Sequence, residues 1–224
     1  MKSLITAFVL ITTLNVFSQD SIVKNPGDFD ELKVYDLINV TLVKSETTKA
    51  IISGDNKTDV SIVNDNGVLK IKMELEEKFD GNKTNVVLFY KELDVVDVNE
   101  GAYVSSDDIF TQYKMELRSQ EGGFIKLKLT VTEVEIKAVT GGEIETTGIA
   151  ERQDVSLNMG GIYKGQDFKT ESTHVAVRAA GTAYVNATEL VDAKIRAGGD
   201  IFIYGNPKQI TESKMLGGQI KRMD

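Results

Sequence analysis

The sequence predicts an all-β fold, a parallel β-helix built from coils of about 19 residues. Three observations predict it. Glycine nodes recur as EGG (Gly122, Gly123), TGG (Gly141, Gly142), MGG (Gly160, Gly161), AAG (Gly181), AGG (Gly198, Gly199) and LGG (Gly217, Gly218). Their last glycines, Gly123, Gly142, Gly161, Gly181, Gly199 and Gly218, stand 19, 19, 20, 18 and 19 residues apart. Two residues after each node comes an apolar side chain: Ile125, Ile144, Tyr163, Ala183, Ile201 and Ile220. A β-sandwich, whose turns come roughly every 8–12 residues, is the alternative. It gives no reason for turn and strand to repeat in fixed register.

Taken in order, the chain opens on MKSLITAFVLITTLNVFSQD. Lys2 supplies a positive n-region and Leu4 to Leu14 a short apolar h-region, which predicts a signal peptide over residues 1–18 cleaved between Ser18 and Gln19. About eleven apolar residues are too few to cross roughly 30 Å of hydrocarbon, so no transmembrane anchor is expected. Residues 19–224 are expected to form one domain. Asp20 to Leu37, charged and carrying Pro26, suits a cap. Within 28–100, VTLVKS, AIISG, VSIVNDNGVLKIKM and NVVLFY read as strands, with a tight hairpin turn at Asn64 to Gly67. These are either less regular coils or an antiparallel cap.

From 101 to 224 the repeat is regular. The pair Ile136/Ala138 and the runs Val155/Leu157/Met159, Val175/Val177/Ala179 and Ala193/Ile195/Ala197 alternate inward. Each paired glycine is expected at a positive-φ corner, with the next coil's backbone too close for a Cβ. The last coil ends in QIKRMD with only Lys221 and Arg222 as edge protection, which predicts a homo-oligomer through the C-terminal coil.

The stretches DFDELKVYDLINVTLVKS (28–45) and NDNGVLKIKM (64–73), followed by the glycine repeat ending in LGGQIKRMD, resemble the auto-transporter adhesin family with the head GIN domain. The resemblance covers nearly the whole chain after the leader. It implies a single-stranded, right-handed β-helix exported to the bacterial cell envelope, and it brings no catalytic residues. Ala180 departs from the pattern by replacing the first glycine of its pair.

Composition narrows the chemistry. The chain has no cysteine, so it has neither disulfides nor a thiolate site. Its net charge of −8 argues against nucleic acid as a partner. His174 is the only histidine, and no motif points to a cofactor or a metal. DNKTD (55–59) and DGNKT (80–84) lack the ligand spacing of a calcium loop and read as turns. Glu133/Glu135 and Glu143/Glu145 alternate with apolar residues as a solvated strand face does. With no long insertion to wall a cleft, an enzyme is not expected. A polysaccharide lyase or hydrolase on the same scaffold is the alternative. One constellation stands out: Arg178 and Arg196 hold equivalent outward positions on adjacent coils, with Lys194 beside them. They form a candidate anion or acidic-glycan patch, unless Asp192, Glu189 or Glu171 pairs with them. The expected protein is therefore an exported binding or structural module, periplasmic, outer-membrane-associated or secreted. Its expected partner is a surface polysaccharide or protein.

Overall fold

The computed structural model describes residues 21–74 and 80–223; the predicted leader and its Ser18–Gln19 junction lie outside the described residues. Five long strands form the regular body: β9 (Tyr103–Ser119), β10 (Phe124–Val139), β11 (Glu143–Asn158), β12 (Ile162–Val177) and β13 (Thr182–Ala197). Each bends around the core as nearly one whole coil and pairs in parallel with the next. The result is a parallel β-solenoid of roughly seven turns. The register stacks Ile125, Ile144, Tyr163, Ala183 and Ile201 in one column, every one of them fully buried. Burying such a column removes large apolar area from water, at about 25 cal/mol per Å².

The corners divide their labour between two glycines. Thr140 (φ +48°) and Gly141 (φ +72°) are both left-handed, and the Gly142 N–H closes the turn on the Val139 carbonyl at 2.9 Å. These are the dihedrals of a type I′ turn. Glu121–Gly122 and Met159–Gly160 repeat it, as does the earlier Glu100–Gly101. The first coil makes the same corner without glycine, at Asp36 (φ +58°) and Leu37 (φ +62°). The second glycine answers a different constraint. Gly142 does not have positive φ, but a Cβ there would lie 2.3 Å from the Ser119 carbonyl oxygen of the preceding coil. Gly123 and Gly161 are likewise crowded by Val98 and Ala138, again one coil earlier. The crowding backbone thus lies one coil back, where the sequence suggests the next coil. In the last three corners, Gly181, Gly199 and Gly218 meet both constraints, with positive φ and a close carbonyl. Ala180 takes the first-glycine place at φ +54°. The equivalent Gly141 and Gly160 have nothing within 4 Å of an added Cβ, so a methyl group fits there. Met159, expected inward, is instead 56% exposed, because the left-handed corner turns it out of the strand's alternation, and Ala197, also expected inward, is exposed at the end of β13 where the next corner begins.

The N-terminal third stacks out of chain order. β2 (Glu31–Val34) and β3 (Asn39–Lys44) make one coil. Its neighbour on one side is the coil of β6 (Val68–Met73) and β7 (Thr84–Tyr90); on the other it is β8 (Val95–Val98) with β9. Residues 31–37 are therefore interior and not a cap: Leu32 and Val34 are fully buried between two parallel partners. Antiparallel strands close this end, and of the expected cap only the part around Ile22–Lys24 belongs to them. β1 (Ile22–Lys24) pairs with β4 (Lys49–Gly54), and β5 (Val60–Asp65) forms a hairpin with β6. Asn66 and Gly67, at φ +51° and +89°, make that hairpin's two-residue turn. Residues 28–100 so combine parallel coils with an antiparallel cap. At the other end, β14 (Asp200–Tyr204) pairs with β13 and with β16 (Gln219–Arg222), while β15 (Gln209–Leu216) pairs with β13.

The two glycine roles predict different penalties. Gly141→Ala should cost about 1–2 kcal/mol, the strain of a left-handed residue. Gly142→Ala, whose Cβ meets fixed backbone, should cost about 1–3 kcal/mol more through displacement of the coil. Chemical denaturation of both variants checks this; equal losses would show that backbone dihedrals alone set the corner.

Candidate functional site

In-register parallel stacking places equivalent outward side chains about 4.8 Å apart, so each outward position becomes a column running along the rod. Two columns on the face of the second half-coil carry most of the charge. Seven residues before each last glycine stand Glu116, Glu135, Asp154, His174 and Asp192; five before it stand Arg118, Lys137, Ser156, Ala176 and Lys194. Acid and base are thus two residues apart on a strand and one strand apart across the sheet. Arg118 binds Glu116 at 2.7 Å, Lys137 binds Glu116 at 2.9 Å and Glu135 at 2.8 Å, and Arg118 reaches Glu31 at 3.5 Å. Glu133 is held by Arg152 at 2.6 Å. The carboxylates noted in the sequence are thus all ion-paired: Glu135 within this network, Glu133 with Arg152, and Glu143 and Glu145 with Lys164 and Lys126 of the neighbouring coils.

Small residues interrupt the basic column and open a groove. Ser156 and Ala176 form its floor between the long side chains of Lys137 and Lys194, and Glu135, Asp154, His174, Asp192 and Arg178 complete the lining of a depression of about 470 Å³. Arg178 and Lys194, two of the three cations singled out in the sequence, face this groove; Arg196 stands one coil on from Arg178, outside it. Their partners differ. Lys194 is tied to Asp192 at 2.6 Å, whose other contact is His174 Nδ1 at 3.4 Å. Lys194 and then His174 hold the Asp192 carboxyl below its ordinary range. Glu189 pairs with Lys208 and not with the patch. Arg178 donates to Ser156 Oγ at 2.9 Å. Among the described residues, neither Arg178 nor Arg196 has an ion-pair partner, and both are exposed. The groove as a whole is balanced in charge, but within it Arg178 and Asp154 have no ion-pair partner among the described residues, and Arg196 continues the unpaired cations one coil beyond. No group of three His, Asp or Glu side chains among the described residues is placed to hold a metal ion.

The sequence reading missed a polar cluster inside the rod. Tyr163, fully buried, shares its hydroxyl with Thr146 at 2.7 Å and accepts from Gln153 at 2.5 Å. Gln153 Oε1 accepts from Thr173, which also contacts Thr170 at 2.8 Å. Burial pushes the Tyr163 phenol above its usual range, so it remains a neutral hydroxyl. Every member has a partner, which is the condition under which buried polar groups fix a register without a net penalty. The available signal was Gln153 and Thr173 standing in a column otherwise filled by Val134 and Val191.

Comparison with known proteins places this architecture. The family model described as "putative auto-transporter adhesin, head GIN domain" matches residues 28–207. The chain belongs to the head GIN domain family. No curated protein matches it. A solved structure of a putative adhesin from Bacteroides fragilis has a TM-score of 0.83 at 18% identity, covering 92% of this chain and 98% of that one. A putative lipid binding protein from Parabacteroides distasonis gives 0.71 at 19% identity, covering 92% and 96%. A putative adhesin from Parabacteroides merdae gives 0.71 at 17%, also covering 92% and 96%. At these identities the likeness shows the shared solenoid. Within this head GIN domain no described helix is long and apolar enough to cross a membrane.

The ion-pair network of this head GIN domain predicts an acid dependence. Burial alone would raise the Glu116 carboxyl, but hydrogen bonds from Arg118 and Lys137 outweigh it and hold the group at about 2. A depressed carboxylate contributes stability above its unfolded value of about 4.3, and that contribution is lost as pH falls through the folded value. The stability advantage of wild type over Glu116→Gln should therefore be full at neutral pH and shrink steadily between about pH 4.5 and 2. Urea denaturation across that range measures it; a gap independent of pH would show that Glu116 contributes through packing alone.

Proposed function

We propose that this chain is an exported, non-catalytic binding module of the cell envelope, adhesin-like, whose groove edge at Arg178 and Arg196 receives an anionic group of its ligand. The observation that carries the reading is the pair of exposed guanidinium groups, one coil apart, left without ion-pair partners among the described residues, where Lys137 and Lys194 in the adjoining column are ion-paired. Two planar donors at that separation suit carboxylate or sulfate groups on successive sugars of an acidic glycan. Lys194 lends positive potential from beside them but is held by Asp192. The short corners supply no walls for a deep cleft, and the carboxylates pair with bases along the sheet, both of which favour surface recognition over turnover. Family membership and solved relatives described as adhesins support the same reading. Export rests on the leader sequence, and places the module in the periplasm, on the outer membrane or outside the cell.

Binding to acidic glycans tests the proposal, with neutral glycans as control. Each charge-assisted hydrogen bond to a guanidinium contributes about 1.5–3 kcal/mol. Arg178→Glu with Arg196→Glu should lower affinity at least about 10-fold, with unchanged folding, since both side chains are exposed. Lys194→Ala should have a smaller effect. One solved relative is described as lipid binding, and a phosphate headgroup presents similar anionic chemistry. Vesicles of anionic lipid therefore form a second arm. Absence of any salt-sensitive binding by the wild type in both arms would overturn the proposal.

A further inference from the structure

The last coil breaks the rule that governs the others. In β15 the register sets Ile210, Glu212, Lys214 and Leu216 against Val191, Ala193, Ile195 and Ala197, so two charged residues take positions that are core one coil earlier. Arg222 likewise stands against the buried Ile203, and it reaches Glu212 at 3.5 Å. These charges end the apolar core here. They leave an edge, however: among the described residues β15 pairs with β13 alone, and its far side presents free backbone groups. Met215 and Leu216 are each 71% exposed.

The order of side chains along that edge is self-complementary. On the core-facing side it reads apolar, acid, base, apolar. If a second copy pairs antiparallel about a two-fold axis through Ser213, Ile210 opposes Leu216, and Glu212 opposes Lys214, in both directions. Thr211 opposes Met215 on the outer side. Directly opposed Cβ atoms lie about 4.5–5.5 Å apart, within reach for both the apolar and the ionic pairs. The neighbouring registers that keep core faces aligned are penalised. Sliding one way sets Glu212 against Glu212, and sliding the other sets Lys214 against Lys214.

We propose that two copies of this chain join end to end through β15, with a two-fold axis at Ser213 and the register chosen by the Glu212–Lys214 pair. This is strand addition at an exposed edge. The pairing rests on strand chemistry alone and does not depend on what the groove binds. A two-fold normal to the sheet keeps outward faces outward, so both copies' Arg178 and Arg196 would lie on one continuous face.

Because the chain has no cysteine, Ser213→Cys introduces a unique thiol. At the axis the two Cα atoms would stand about 4.5–5.5 Å apart, within the span of a disulfide. Mild oxidation should convert Ser213→Cys to a covalent dimer far faster than Glu151→Cys, a control thiol at an exposed site away from the axis. In sedimentation, the wild type should dimerise with rising concentration. Lys214→Glu, which sets Glu against Glu, should remain monomeric with an unchanged melting temperature. Mixing it with Glu212→Lys should restore a heterodimer. A wild type that stays monomeric to hundreds of micromolar, or Ser213→Cys linking no faster than Glu151→Cys, would overturn the proposal. So would a dimer indifferent to Lys214→Glu.

Discussion

Everything in this molecule depends on one close approach, the corner of each coil lying against the backbone of the coil before it. A spacing near 4.8 Å is set by backbone hydrogen bonds and cannot stretch to admit a side chain. Where an added Cβ would stand 2.1 Å from the Ala138 carbonyl, as at Gly161, only glycine fits. The left-handed residues before it reverse the chain within a single turn, so the next strand starts in register above the last. Fixed corners then fix every column, inside and out. The fully buried column from Ile125 to Ile201 and the charged columns on the surface are two results of the same constraint.

Columns change what a surface charge does. On an isolated strand, acid and base two residues apart form a local pair of little value. Stacked in register, each carboxylate also meets the base of the neighbouring coil, and Glu116 gathers Arg118 and Lys137 in this way. The network runs from Glu31 to Lys137 and then stops, because Ser156 and Ala176 replace the next two bases. The groove is the direct consequence of those two small residues. Arg178 lines it and Arg196 stands one coil beyond, so the surface feature that suits a ligand lies at an interruption of the feature that stiffens the rod.

The interior shows the same economy of position. Tyr163 takes a place held by Ile144 in the coil before it and by Ala183 in the coil after, and its hydroxyl obliges Thr146 and Gln153 to be polar too. A slipped register would leave those groups unpaired in an apolar core, at a cost of about 1–3 kcal/mol each. Polarity is used again in the last coil, where Glu212, Lys214 and Arg222 replace core residues and terminate the stack.

The sequence by itself determined the repeat, the places of the corners and the inward residues of the body's strands except Met159 and Ala197 at the corners, because a solenoid is translationally regular and its contacts recur at a fixed chain interval. It also determined that Arg178 and Arg196 are neighbours, each three residues before a last glycine. Only the tertiary structure decided where β2 and β3 lie, since alternation of Leu32 and Val34 says that they are buried but not between which strands. It decided which glycine answers to dihedral angle and which to space, a distinction between contacts within a turn and contacts one coil away. It decided as well which cations are free, because Lys194 and Arg178 differ only in what the adjoining coil and column offer them. Local pattern encodes the face a residue takes; the identity of its partner is a property of stacking.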